Sequence, residues 1–546
     1  MKKQFQILFY FLFISFITHA QPSIAWQRCY GGTDNDFFLY AIKTTDGGSI
    51  ATIASGSEDG DLEGITNSSG WVIKFDSLFN IEWQQFYSGD LYSSEPVQPI
   101  CLANGDYIFG GYGGEGCNGF HGSTDLFLLK TNSSGDTLWS KCYGSPGSDQ
   151  FSSILHTEDN GFLITGSSYY SGGDIPSHYG VLSTDIILIK TDSIGNILWL
   201  KVLGGSSYDS PLSAPIEITR GIYQIHLYSA SDDYDLEDCP VTDIKKRWIV
   251  QLDSMGNIIK QNFLSAEDDL YSSDGAIFME GNKTFVIGTG NAESANFPAP
   301  EGHAGDEGAI AVFDSTLSMI NMIQFGGSGE DRFQRITKDE AGNYYIIGTS
   351  TSMDYDLSRN YNNGDNKDFW IVKLDSTFNL LWSRNFGGSE YDGDLGGGYF
   401  HGNLQVNDDK LLVFTGSITP ENLPDYDIEC GYLEFPPNFY HFQDAWLIAF
   451  DSLNNLPPPI IPPTSADCLM YPNPVNDILS VQSNLFNNNE VIIDLIDMAG
   501  KKILQTEKIT DDLIQIDVKN ILNGIYIVKI YDGNVVWNMD KIIIQH

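Results

Sequence analysis

The chain has 546 residues, 72 of them acidic and 29 basic, for a formal charge of −43. Neutralising phosphates takes Lys and Arg, so nucleic acid is excluded as a partner class and an anionic membrane surface is disfavoured. At 42% hydrophobic and 13% aromatic the chain is too apolar for disorder. Its length allows two to four domains, with repeat architectures as the exception.

Residues 1–20 read as a secretory signal peptide. Lys2 and Lys3 form the positive start, Ile7 to Ile17 the apolar stretch, and small residues precede Gln21. No later stretch is apolar enough to cross a bilayer. The expectation is a mature chain with no transmembrane segment, located outside the cell as a secreted or outer-membrane surface-attached protein.

From Trp26 onward a unit recurs. "WVIKFDSLFNIEW" from Trp71, "IILIKTDSIGNILW" from Ile186 and "WIVKLDSTFNLLW" from Trp370 share a strand-like run, a polar turn and a second strand carrying Trp. The residue opening each turn is Asp76, Asn132, Asp192, Asp253, Asp314, Asp375 or Asp451, at intervals of 56, 60, 61, 61, 61 and 76 residues. Upstream of each turn lies a strand pair joined by a Gly-bearing hairpin: Asp46-Gly47, Asn104-Gly105, Asn160-Gly161, Gly342-Asn343. Seven four-stranded units with no convincing helix predict an all-β, seven-bladed β-propeller over residues 21–453. With strands lettered A to D within each unit, the apolar run is C and the Trp-bearing strand is D. The seventh C strand is followed by prolines that cannot join a ladder. The mature chain opens on an orphan D strand, Trp26 to Tyr30, which is expected to complete the last blade and close the ring. The repeated turn is similar to the tryptophan-docking turn of quinoprotein propellers, over about eight residues per blade.

Seven cysteines are dispersed without a CxxC pair, which argues against a metal framework. Cys101 and Cys117 form the candidate disulfide, being close in sequence; Cys29 and Cys142 are expected to be free and buried.

Two acidic series follow the repeat. One stands five residues after the start of each Gly-Gly position: Asp36, Asp149, Asp209, Asp269, Asp331 and Asp392. The other lies in the B–C loops: Asp59 and Asp61, Asp174, Asp233 and Asp235, Asp354 and Asp356, Asp425 and Asp427. Paired carboxylates can ligate calcium through hard oxygens, and calcium is the cofactor these residues suit. The competing expectation is that these carboxylates shape each corner through loop hydrogen bonds. B–C and D–A connections of a propeller emerge together, so one face carries long acidic, Tyr-rich loops and the other only tight turns. Ser77, Ser193, Ser254, Ser315, Ser376 and Ser452 follow the turn aspartates; Asp-Ser/Thr before an apolar residue or Thr resembles the O-glycosylation signal of secreted Bacteroidetes proteins. "GYGGEG" at Gly111 fits GxGxxG but has no following helix, and no HExxH, GxSxG or P-loop is present. No catalytic or cofactor-binding residue is assigned.

Residues 454–466 form a Pro-rich linker, and residues 467–546 read as short alternating strands of a small Ig-like β-sandwich. Tyr471-Pro472-Asn473-Pro474 with Asp477, Gly500 in an Asp-Met-Ala-Gly turn, Leu522-Asn523-Gly524-Ile525-Tyr526 and the closing Lys541-Ile542-Ile543 resemble the type A C-terminal sorting domain of the Bacteroidetes type IX secretion system. That resemblance implies the type IX machinery as partner and delivery to the cell surface or medium. The expected function is a non-enzymatic recognition module holding a glycan, a protein or a cation on the acidic loop face. The alternatives are a secreted polysaccharide-active hydrolase and a structural surface component.

Overall fold

A computed structural model describes residues 23–63, 70–87, 95–181, 183–241, 245–265, 276–293, 296–300, 303–357, 367–388, 392, 402–407, 410–418, 426–431, 443–450, 469–471, 475–482, 492–497, 501–506, 513–531 and 536–544. The chain divides into two compact units, one spanning Gln21–Asn455 and one containing Leu456–His546. Among the described residues the architecture is all-β, with helix confined to the single 3₁₀ turns Gly60–Leu62 and Tyr234–Leu236. No described helix is long and apolar enough to cross a membrane. Residues 1–20 and 454–466 lie outside the described residues.

Within Gln21–Asn455 the described residues form seven antiparallel sheets, six of four strands and one of five. The repeat comprising Asp149–His156, Phe162–Ser168, Asp185–Thr191 and Ile197–Leu203 shows the pattern. Its four strands pair in chain order. The two central strands are buried at every position, because both faces pack against neighbouring sheets; this is why they read as continuous apolar runs rather than alternating ones. The fourth strand starts exposed and becomes buried toward Leu203.

A buried lysine near the end of strand C ties the A–B turn of its repeat to the outer strands. Lys74 Nζ lies 2.9 Å from Asp46 of the A–B turn and 2.8 Å from Glu82 of strand D; Lys190 Nζ lies 3.0 Å from Asp159. Each described turn aspartate then caps its own loop. Asp192 Oδ1 accepts the N–H groups of Ile194 and Asn196, and Oδ2 accepts the Asn196 amide.

Strand D reaches across to the next repeat. Trp83 Nε1 donates to the Ser133 carbonyl at 3.0 Å and Trp199 Nε1 to the Ser254 carbonyl at 2.9 Å. Lys260, standing where the fourth repeat has lost its Trp, donates to the Ser315 carbonyl. The recurring Trp is therefore a docking side chain between repeats.

The N-terminal strand Ile24–Tyr30 pairs with the last C strand, Gln443–Phe450, completing the sheet that contains Gly402–Asn407 and Lys410–Ile418. The same strand docks on the first repeat: the Trp26 and Phe79 rings lie 5.6 Å apart, and Arg28 donates to the Phe79 carbonyl. Last and first sheets also pack directly. Phe38 meets Phe414 edge-on at 5.3 Å and Ser49 donates to Gln405 at 2.6 Å.

The cysteines depart from expectation. Cys29 pairs with Cys430, 401 residues away, and Cys117 pairs with Cys142. Cys101 is a free thiol, as is Cys239. Proximity in sequence misleads here because a β-repeat places the loop of one strand beside the next strand of the same sheet, and the last repeat beside the N-terminal strand. Cys468 lies outside the described residues.

The second unit has two sheets, one of Leu469–Tyr471, Ile478–Gln482 and Leu513–Asp517, the other of Lys502–Gln505, Ile492–Asp497, Gly524–Tyr531 and Val536–Ile544. Val475, Leu479, Ile493, Val528, Ile530 and Ile542 are among the buried residues of one shared core. Tyr526 donates its hydroxyl to the Leu522 carbonyl at 2.8 Å, closing the Asn523-Gly524 turn.

Candidate functional site

Strand register gathers the two acidic series at one end of each sheet. In the third repeat Asp149 opposes Ser168, Ser168 opposes Asp185 and Ile186 opposes Leu203, so the start of A, the end of B, the start of C and the end of D share that end. The D–A and B–C loops leave from it together.

The Asp after each Gly-Gly position is fully buried where described, at Asp36, Asp149, Asp209, Asp331 and Asp392. Each accepts the backbone N–H four residues earlier: Gly32 at 2.8 Å, Ser145 at 2.6 Å, Gly205 at 2.8 Å, Gly327 at 2.7 Å and Gly388 at 2.6 Å. Serine hydroxyls of the B–C loop add to this, Ser57 on Asp36, Ser231 on Asp209 and Ser352 on Asp331. The first glycine has no alternative: at Gly326, φ +151°, a Cβ would come within 2.4 Å of Asp331 Oδ2 and 2.3 Å of Glu307 Oε2. Asp269 lies outside the described residues.

The B–C loop aspartates reach back to the same Gly-Gly turn. Asp59 accepts both the N–H and the hydroxyl of Thr33 at 2.7 Å, and Asp61 accepts Gly31 N–H at 3.1 Å. Asp233 accepts Ser206 N–H at 2.7 Å and Asp235 accepts Gly204 N–H at 3.1 Å. Asp354 accepts Ser328 N–H at 2.8 Å and Asp356 accepts Gly326 N–H at 3.0 Å. Asp174 accepts Gly144 N–H at 3.3 Å, and Asp427 pairs with Arg384 at 3.3 Å. Asp425 lies outside the described residues. Hydrogen bonds from Thr33 hold Asp59 below the usual carboxylate range, as those from Ser206 do Asp233. Among the described residues no three His, Cys, Asp or Glu side chains are placed to hold a metal ion.

A third acidic series was missed from sequence. Asp125, Asp185 and Asp368 open their C strands and are fully buried, and Glu307 and Asp444 are buried one residue into theirs. The signal was available, since an acid immediately precedes an otherwise apolar run in "DLFLL", "DIILI" and "DFWIV". These carboxylates sit beside the Gly-Gly aspartates. Burial, reinforced by Asp149, pushes Asp125 up to about 6; burial with Asp209 nearby does the same to Asp185. Burial also pushes Asp36 and Asp331 to about 6, and burial with Asp331 and Asp356 close by pushes Glu307 to about 10. Asp125 Oδ1, Asp185 Oδ1, Asp209 Oδ1, Glu307 Oε1 and Asp331 Oδ1 are buried without a hydrogen-bond partner. His303 Nδ1 lies 3.0 Å from Glu307, and His178 Nε2 lies 3.6 Å from Asp185.

At the opposite end, Ser77, Ser193, Ser254, Ser315 and Ser376 are all exposed at the C–D turns, while Ser452 lies outside the described residues. In the second unit Tyr471 pairs with Ser480, the Asp477 carbonyl accepts Val518 N–H at 2.9 Å, and Lys541 opposes Ile527. Pro472, Asn473, Pro474 and Gly500 lie outside the described residues.

Residues 469–545 match the family model described as the secretion system C-terminal sorting domain. The chain therefore carries a sorting domain of the type IX secretion pathway, which brings with it an interaction with that machinery and delivery out of the cell or onto its surface. No curated protein matches the chain. Among solved structures, a fungal alcohol oxidase of the AA5 family in complex with copper is 10% identical, covering 96% of this chain and 100% of its own, at a TM-score of 0.38. A polysaccharide lyase is 10% identical, covering 78% of this chain and 92% of its own, at 0.39. The extracellular domain of a hybrid two-component system from B. thetaiotaomicron is 10% identical, covering 93% of this chain and 67% of its own, at 0.27. Likenesses at these scores carry no weight for activity.

Proposed function

We propose that the chain is an extracellular recognition protein: a signal peptide at 1–20, a closed seven-bladed β-propeller at 21–453, a Pro-rich linker at 454–466, and an Ig-like sorting sandwich at 467–546. The observation that carries the recognition role is the division of labour at the acidic end of the sheets. Two aspartate series are consumed in holding the Gly-Gly turns, so the B–C loops are rigidly presented rather than loose, and rigid loops on a scaffold suit binding. The exposed C–D turn serines are candidate O-glycan acceptors on the side away from those loops. Removing residues 467–546 is expected to trap the protein inside the cell envelope, measured by surface proteolysis and fractionation. Normal surface delivery of the truncated protein would overturn the export half of the proposal.

A bound cation is a second reading for the same end, favoured by the buried oxygens of Asp125, Asp185, Asp209, Glu307 and Asp331 that lack partners beside these loops. A ligand that binds only the folded state stabilises by about 2.7 kcal/mol at a hundredfold excess over its Kd. Cation occupancy predicts a melting temperature several degrees higher in excess calcium than in chelator. Identical melting in both would assign Asp59, Asp61, Asp174, Asp233, Asp235, Asp354, Asp356, Asp425 and Asp427 to loop architecture alone.

A further inference from the structure

The middle residue of the B–C loop motif stands in the left-handed backbone region in every described repeat that carries it. In two repeats it is glycine, Gly60 at φ +61° and Gly173 at φ +58°; in three it is tyrosine, Tyr234 at +51°, Tyr355 at +54° and Tyr426 at +50°. Glycine adopts this conformation without penalty, whereas a side chain with a Cβ pays for it.

The C–D turns supply an internal control. There too a left-handed position is glycine in some repeats (Gly135, Gly195, Gly256) and a large apolar residue in others (Phe79, Leu317, Phe378). Phe79 and Leu317 are only 4% and 1% exposed, and Phe378 stacks on Tyr344 at 4.8 Å, so burial offsets the backbone cost. The loop tyrosines are buried far less: Tyr234, Tyr355 and Tyr426 stay 56%, 58% and 61% exposed. Backbone strain kept at an exposed ring, when glycine serves at the same place in two other repeats, points from outlier to function.

We propose that these three rings are the contact surface of the loop face and that their partner is a basic polypeptide segment, whose Lys or Arg side chains lie on the tyrosine faces between the flanking carboxylates. This rests on the recognition role proposed above and names its partner. Charge complementarity selects the occupant. Tyr234 is bracketed by Asp232, Asp233, Asp235, Glu237 and Asp238, Tyr355 by Asp354 and Asp356, and Tyr426 by Asp427 and Glu429, in a chain of net charge −43. Cations are drawn to aromatic faces and to such a field, while polyanions are repelled. Two of the rings are also held in place from the preceding repeat's loop, Tyr179 against Tyr234 at 4.7 Å and His303 against Tyr355 at 4.9 Å. Preset rings cost less entropy on binding.

The test compares the mature full chain with the triple variant Tyr234→Gly, Tyr355→Gly, Tyr426→Gly, using oligolysine and a neutral oligosaccharide panel as probes in titration calorimetry at low and moderate salt. Since glycine already serves in two repeats, the variant is expected to fold and melt like the parent. The expected result is salt-sensitive oligolysine binding, weakened about tenfold or more in the variant and restored by Phe at the three positions, which keeps the ring. Equal oligolysine binding by parent and variant would reduce the effect to bulk charge and overturn the assignment. A neutral oligosaccharide bound by the parent and lost in the variant would overturn the basic partner but keep the recognition face. No binding of either probe would sink both.

Discussion

Replacing Cys29 with serine is expected to lower stability by about 2–5 kcal/mol and to cost more than replacing Cys117. Chain-entropy stabilisation grows with the loop closed, as roughly 1.5 RT ln n. The two bridges span 401 and 25 residues. The difference expected from loop length alone is therefore about 2.5 kcal/mol in favour of Cys29–Cys430. That bridge fastens the N-terminal strand, which also pairs with Gln443–Phe450 and lodges Trp26 against Phe79. Losing it would let the strand peel from its edge, exposing the unpaired ladder of the last C strand to aggregation. Thermal unfolding of the two single variants, with size-exclusion chromatography after partial heating, checks this. Equal melting of both variants, or a larger loss on replacing Cys117, would show that the N-terminal strand is not the seam on which the repeat array depends. Secretion suits both bridges, since disulfides persist in oxidising surroundings.

Stability is expected to rise as pH falls from 8 to about 4.5 and to collapse below 4. Asp36, Asp125, Asp185 and Asp331 are held near 6 and Glu307 near 10 by burial. For an acid raised in the folded state, that state binds protons that the unfolded state does not, so acidification through its folded value adds stability. The gain is complete only near the unfolded value, about 4. Two groups act in the opposite direction: burial lowers His226 and His156, so both favour unfolding as pH drops below about 6.5. Five carboxyls outweigh two imidazoles, and relief of the −43 self-repulsion adds to them. Below pH 4 the sign reverses. Asp46 and Asp375 are held at about 2 by their hydrogen bonds and, for Asp46, by Lys74. Their contribution is present above the unfolded value and lost as pH falls toward 2. Melting temperature measured between pH 3 and 8 should peak on the acid side of 5.5. A peak at or above neutrality would mean that the buried carboxylates are neutralised by something other than protons, and a chelator series at pH 8 would then separate a bound cation from a misplaced carboxylate.

Much of the fold was legible in the chain because its periodicities are local. The Asp-to-Asp interval, the apolar C strands and the Asn-Gly or Asp-Gly hairpins depend on backbone and side-chain preferences acting over a few residues, and they reappear as sheets of four strands, or five in the fourth repeat. The role of Ile24–Tyr30 was also readable, because a strand without its sheet leaves one edge to be filled. The tail motif was readable for the same reason, its turns being short and contiguous.

Three features depended on tertiary structure. The disulfides join residues that approach only when strands from distant parts of the chain lie side by side, as Cys29 and Cys430 do. The C-strand carboxylates gain their raised proton affinities from burial beside a second acid of the next D–A turn, a pairing set by register and invisible in composition. The exposed tyrosines became informative only through their φ angles. Tyr234 and Gly60 look interchangeable in a loop motif, and only the folded backbone reveals which of them pays to be there.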